Sequence, residues 1–190
     1  MNEALIKFNE LNEDQFRYGG IKYSSSNEKE ATDCLFDVYG FKWLIGTVHK
    51  YIYRTKNLAR ERDLLKIACY QFIIWLKRGY HLNQLGSEIP INTTVKVKTE
   101  SFSKFSEYIS NYYTLNENYL QSYLDEGEAL SRISEILENM ADFNWLDITE
   151  ETLLEIYCLS FIYWNNKYYK TNTAGNDTDT FNEKKGFKEN

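Results

Sequence analysis

LLKIACYQFIIWL, running from Leu64 to Leu76, is apolar almost all the way round a helix and is interrupted only by Lys66 and Gln71. A helix of that kind has no solvent face and must be covered on several sides. Two arrangements supply the cover: the segment is the central helix of a compact, mainly α domain, or it forms part of a homodimer interface. The chain has 190 residues, 43% of them hydrophobic, enough for a proper core in one domain or in one domain with an appended subdomain. Proline occurs once, at Pro90, and β-branched alternation is scarce, so helices predominate.

Working outward, Asn57 is placed to cap this helix, which spans about Leu58 to Lys77. A preceding helix over Phe41 to Thr55 carries the stripe Leu44, Ile45, Val48 and Ile52. Tyr39 and Gly40 separate it from a first helix, about Glu28 to Val38, with Ser26 or Asn27 as cap and acids in its first turn. Residues 1 to 26 read as irregular, with a turn at Tyr18, Gly19 and Gly20. Beyond Arg78, the stretch INTTVKVKTESF (Ile91 to Phe102) alternates as an extended arm or hairpin does. Helical pattern resumes at Phe105 to Tyr112 and Tyr119 to Leu124, then in an acidic amphipathic segment whose buried stripe is Leu130, Ile133, Ile136, Leu137 and Met140. A last helix starts at Asp147 or Thr149, followed by Glu150 and Glu151, and reaches about Asn166. The expected organisation is an N-terminal helical region, 1 to 80, a C-terminal one packed on it, 81 to 170, and a disordered tail, 171 to 190, with little to bury.

The opening stretch has an echo. LLKIACYQFIIW (Leu64 to Trp75) and LLEIYCLSFIYW (Leu153 to Trp164) share Leu, Leu, Ile, Cys, Phe, Ile and Trp at equivalent positions. A duplicated helical hairpin accounts for this, and so do two core helices with similar packing demands.

The net charge of −6 is unevenly spread. Residues 41 to 80 carry nine basic side chains against Glu61 and Asp63, a balance of +7, while residues 1 to 40 stand at −4 and residues 81 to 190 at −9. A concentrated positive field inside an acidic chain suits a small phosphate-bearing ligand or an acidic patch of a partner, and is poorly suited to tracking long nucleic acid. Neutralisation by the chain's own acidic helices is the competing account. No membrane span or secretion signal is apparent, which places the protein in the cytosol. Cys34, Cys69 and Cys158 lie far apart in apolar surroundings and read as buried structural thiols.

Within the basic region, Gly46, Lys50, Arg54 and Asn57 fall at spacings of three or four and share a helix face. Lys50 and Arg54, one turn apart, make a two-pronged cation for phosphate, the arginine pairing bidentately and the lysine acting as a point charge. His49 adds a hydrogen bond, Tyr51 or Tyr53 a stacking surface, and Arg60 and Lys66 further charge. The alternative is structural: Lys50 or Arg54 pairs with Asp63 and locks the helix hairpin. No GxxxxGK[ST] loop is present. Glu30, Asp33 and Asp37, at i, i+3 and i+7, form an acidic row of the sort that holds hydrated Mg²⁺ in all-helical nucleotide pyrophosphohydrolases. A solvated face, or a partner for the basic helix, is the alternative role.

The segment GTVHKYIYRTKN (Gly46 to Asn57), followed by RDLLKIACY (Arg62 to Tyr70), resembles the core of a phage-encoded family, the SaV-like or small nucleotide-kinase-like proteins. That family's pattern is G-N-x-x-K-Y-x-x-R, a short basic turn, then D-L-x-K-A-x-x-Y. Gly46, Lys50, Tyr51 and Arg54 match the first half, and Asp63, Leu64, Lys66 and Tyr70 the second; Thr47 stands where the family has Asn. The likeness covers roughly residues 30 to 80. It implies a bacteriophage origin and a kinase-like role in deoxynucleotide metabolism; the acidic row adds the phosphohydrolase-like alternative, with Mg²⁺ if the protein is an enzyme.

Two functions follow as expectations. One is a phage protein that binds a nucleotide phosphate through His49, Lys50, Tyr51, Arg54, Arg60 and Lys66. The other is a non-enzymatic effector that blunts a host defence system by binding a host protein or sequestering a nucleotide signal. The second draws on the 16 tyrosines, with Tyr112, Tyr113, Tyr119, Tyr123, Tyr168 and Tyr169 as candidate contact residues and ordinary packing as their bland role.

Overall fold

Apolar residues recur at helical spacing from the first residues onward, and among the described residues six α-helices result. A computed structural model describes residues 2–23, 31–80, 95–142 and 148–170. The order is α1 (Glu3–Tyr23), α2 (Ala31–Leu58), α3 (Glu61–Lys77), α4 (Val95–Gln121), α5 (Glu126–Asp142) and α6 (Glu150–Trp164), the last running into a π-helical turn (Asn165–Tyr169). No strand occurs among the described residues.

The first correction is α1, where the sequence suggested irregular chain. Ala4, Leu5, Phe8, Leu11 and Phe16 form a buried stripe, and the Asn2 carboxamide oxygen accepts from the amides of Ala4 and Leu5 at 3.0 and 3.3 Å. The Tyr18-Gly19-Gly20 stretch does not stop it, because a helix already docked by its apolar face tolerates glycine. The break expected at Gly40 is a kink inside one helix: Gly40 has φ 64° and ψ −156°, a conformation open to glycine and strained for other residues.

Asn57 does not cap α3. Its side chain donates back to the Tyr53 carbonyl at 2.6 Å, Ala59 turns the chain with φ 48°, and Arg60 occupies the cap position with no side-chain bond. The alternation at 91 to 102 is also overridden: from Val95 the chain is helical, with Phe102, Phe105, Ile109 and Tyr113 buried along one face, while residues 91–94 lie outside the described ones. α4 joins the two segments expected at Phe105 to Tyr112 and Tyr119 onward, with a local distortion at Asn116 (φ −113°, ψ 16°). The α5 stripe of Leu130, Ile133, Ile136, Leu137 and Met140 is buried, and Thr149 caps α6 by accepting from the Thr152 amide at 3.2 Å. The tail expected to be disordered, 171–190, lies outside the described residues.

The interior is shared by α3 and α6, most residues of which are buried. α3 is covered by α1, α2, α4 and α6 of the same chain, so its burial requires no second copy. Around it the contacts fall into a symmetric scheme. α2 packs on α3 as α5 packs on α6, and α1 packs on α3 as α4 packs on α6. Three further contacts join like with like: α1 with α4, α2 with α5, and α3 with α6. The weaker cross-contacts follow suit, α3 with α4 mirroring α1 with α6.

Two hydrogen bonds fix the centre of this pseudo-twofold arrangement. The Trp75 indole at the end of α3 donates to Glu150 at the start of α6 at 2.6 Å, and the Trp164 indole at the end of α6 donates to Glu61 at the start of α3 at 2.7 Å. Glu61 and Glu150 stand at the same offset of 89 residues as Trp75 and Trp164, so the echo extends to E-x-x-L-L-x-I-x-C-x-x-F-I-x-W. Helices α1–α3 and α4–α6 therefore form two three-helix units built on one plan.

Candidate functional site

α2 and α3 run antiparallel and are tied by an acid–base pair at each end. Far from the turn, Lys77 on α3 pairs with Asp33 on α2, and both side chains are completely buried. The Lys77 ammonium also sits 4.8 Å from the centre of the Phe36 ring. Near the turn the polarity reverses: Arg54 on α2 approaches Asp63 on α3, Nε to Oδ2 3.4 Å. Reversed polarity at the two ends penalises any slip of the pair, since a shift leaves buried charges unpaired.

Three basic side chains gather beside the second of these ties. Lys50 Nζ, Lys66 Nζ and the Arg54 guanidinium carbon lie 4.6, 5.4 and 5.8 Å from the centre of the Tyr51 ring. Tyr51 itself is buried, so the ring is a floor on which three cations are gathered. Lys50 is exposed, Lys66 and Arg54 are half-buried, and neither lysine pairs with a carboxylate among the described residues. Among the described residues Asp63 is the one acid paired with the cluster; it is 1% exposed and its Oδ2 accepts no hydrogen bond, so the long contact to Arg54 only partly compensates it. Three positive groups against one negative leave an open, net-positive site suited to an anion.

An aromatic wall adjoins the cations. Tyr70 stacks obliquely on Tyr51 at 5.9 Å and meets Trp43 edge-on at 6.3 Å. Sequence reasoning did not assign Trp43 or Tyr70 to the site. The signal was the helical spacing, since Trp43 lies two turns before Lys50 and Tyr70 one turn after Lys66. Of the other expected ligands, His49 is half-buried on α2 and Arg60 is exposed at the α2–α3 turn; neither contacts the Tyr51 ring. Tyr53 is exposed, 70%, on the outer side of α2.

The acidic row is not gathered as a cation site. Asp33 is consumed by Lys77, Asp37 is exposed, and Glu30 lies outside the described residues. Among the described residues no group of three acids, histidines or cysteines is arranged to hold a metal ion. Cys34 is a correction: it is exposed, because Asp33 beside it takes the inward position on α2, while Cys69 and Cys158 are buried. Burial, with Glu155 adding to it, pushes the Cys158 thiol well up, which favours the protonated form expected of a structural thiol.

The equivalent place in the second unit is charge-compensated. Arg132 on α5 donates to Glu155 on α6 at 3.0 Å and also pairs with Glu135 at 3.0 Å, while the Tyr119 hydroxyl donates to Glu155 at 2.7 Å. Burial alone would lower the Arg132 guanidinium, but its bonds to Glu135 and Glu155 hold it above its ordinary value. Of the remaining tyrosines, Tyr113 is buried, Tyr123 bonds to Tyr119, Tyr168 donates to the Ala59 carbonyl at 3.1 Å, and Tyr169 packs on Trp164.

Comparison with protein-family models, with curated proteins and with solved structures finds no match for this chain. Among the described residues no helix is long and apolar enough to cross a membrane.

Proposed function

We propose that the α2–α3 hairpin binds the phosphate of a nucleotide, in a phage protein of nucleotide handling that is kinase-like, phosphohydrolase-like or purely a binder. The observation that carries this is the convergence of Lys50, Arg54 and Lys66 on the Tyr51 ring with Asp63 as their one acid. Charge-assisted bonds from Arg54 and the lysines hold the phosphate, and Trp43 and Tyr70 offer faces for a base. The resemblance of the Gly46–Tyr70 segment to small phage nucleotide-kinase-like proteins points the same way.

The experiment is a thermal-shift panel of nucleoside mono-, di- and triphosphates and cyclic dinucleotides, with and without Mg²⁺, followed by chromatography of any stabilising ligand. A ligand at about 100 times its dissociation constant adds roughly 2.7 kcal/mol. Recovery of an altered ligand identifies an enzyme, and recovery of the intact ligand a binder. Lys50→Ala with Lys66→Ala is the matching variant, because neither lysine holds a buried acid; it is expected to fold and to lose the shift. A panel with no shift at all sinks the proposal.

A second reading, a non-enzymatic effector that docks on a host protein, is favoured by the end of α4. There Leu115 is 84% exposed, with Tyr119 and Leu124 exposed nearby. Pull-down from host lysate with wild type and Leu115→Asp separates this reading from the first.

A further inference from the structure

The two three-helix units place Lys66 and Glu155 at equivalent positions, each facing the outer helix of its own unit. In the second unit that position is a carboxylate, and it is the anion on which Arg132 and the Tyr119 hydroxyl converge. In the first unit it is a cation, and of the charges gathered there, Lys50, Arg54 and Lys66, Arg54 alone is paired with a carboxylate among the described residues, Asp63 at 3.4 Å. One unit thus carries a carboxylate at this position of its central helix, while the other carries a third cation there and sets one acid, Asp63, against three basic groups.

We propose that the first-unit site takes a dianionic phosphate monoester end-on, as the external counterpart of the carboxylate that Glu155 supplies internally in the second unit. This rests on the nucleotide-phosphate reading above and narrows it to a class: a terminal phosphate, with two charges and three free oxygens, in preference to a phosphodiester. Two lysines and an arginine around one ring match a group of charge near −2 better than a diester of charge −1. The second unit is then closed to such ligands, because Glu155 already fills the place.

The test uses the full chain at about pH 8, where a phosphate monoester carries close to two charges. Titration calorimetry compares adenosine 5′-monophosphate with its 3′,5′-cyclic diester, with inorganic phosphate as competitor. The expected result is one site per chain, displacement by inorganic phosphate, and at least tenfold weaker binding of the diester. Lys66→Glu, read against Lys66→Ala, supplies the independent arm. It gives the first unit the internal carboxylate of the second, so binding is lost while the thermal midpoint rises above that of Lys66→Ala. Equal binding of monoester and diester, or a Lys66→Glu midpoint below that of Lys66→Ala, overturns this inference while leaving nucleotide binding standing. Absence of binding by every nucleotide overturns the underlying reading instead.

Discussion

The indole N–H of Trp75 donates to Glu150 at 2.6 Å, and Trp164 makes the reciprocal bond to Glu61 at 2.7 Å, so each end of the central α3–α6 pair is closed by the same two residue types. Each carboxylate also sits in the first turn of its helix, where the helix dipole favours it. Truncating either acid strands a buried indole donor. Glu150→Ala and Glu61→Ala are each expected to lower stability by about 1–3 kcal/mol, with Glu→Gln losing less because an acceptor remains. Urea denaturation of the four variants checks this. Losses that differ widely between the two ends argue against equivalent roles.

The pair of Asp33 and Lys77 differs in kind, because neither side chain touches solvent. Removing one partner takes away the opposite charge beside a fully buried one, so Lys77→Met should lose about 3–5 kcal/mol. Adding Asp33→Leu to it should recover most of that loss, since two apolar groups of similar size replace two charges. A double variant no more stable than the single one shows that the pair is held by more than its mutual charge.

Much of this was legible in the residues and some was not. The apolar runs of α3 and α6, the α5 stripe and the Thr149 cap announced themselves through periodicity and capping chemistry. α1 was hidden by Gly19 and Gly20, and the start of α4 by a Val-Lys-Val-Lys alternation that tertiary packing overrides. Lys50, Arg54 and Lys66 could be picked by charge and spacing, but their gathering on Tyr51, and the contribution of Trp43 and Tyr70, depend on how α2 lies against α3. The repeat was visible as an echo of two helices. Its meaning emerged only when Glu61 and Glu150 were seen bonded across to the opposite tryptophans.

Ala59 holds φ 48° at the α2–α3 turn, a left-handed conformation that disfavours any side chain, while its carbonyl accepts from Tyr168. Glycine has no such penalty, so Ala59→Gly is expected to stabilise the protein by about 1 kcal/mol with the backbone bond intact. A lower urea midpoint would mean that the turn is not strained.

Alkaline stability should depend on the second unit. Tyr112 is pushed above its ordinary value by burial and then by Glu155, Cys158 and Glu151; Tyr119 is pushed up by burial and then by its bonds to Tyr123 and Glu155. The unfolded chain releases these protons near pH 10 and the folded chain retains them. Their stabilisation is therefore full below about pH 10 and falls as pH rises through the higher folded values. Tyr112→Phe with Tyr119→Phe removes both protons, so the decline in urea midpoint between about pH 9 and pH 11 should be shallower than in wild type. An unchanged slope would assign the decline to other groups.

Asp63 decides between a site and a lock. It is buried, its Oδ2 accepts no hydrogen bond, and it lies 3.4 Å from Arg54 as the one acid among three cations. If the cluster exists to hold an anion, Asp63 competes with that anion for Arg54. Asp63→Asn then releases the guanidinium, raises the local charge by one and tightens inorganic phosphate binding several-fold, with a steeper dependence on salt. The accompanying loss of stability should be only about 0.3–1 kcal/mol, for a first-turn acid removed from α3. If the Arg54–Asp63 contact is instead a structural lock, the same substitution destabilises by several kcal/mol and leaves phosphate binding undetectable before and after. Calorimetric titration and urea denaturation of this single variant therefore separate the two roles.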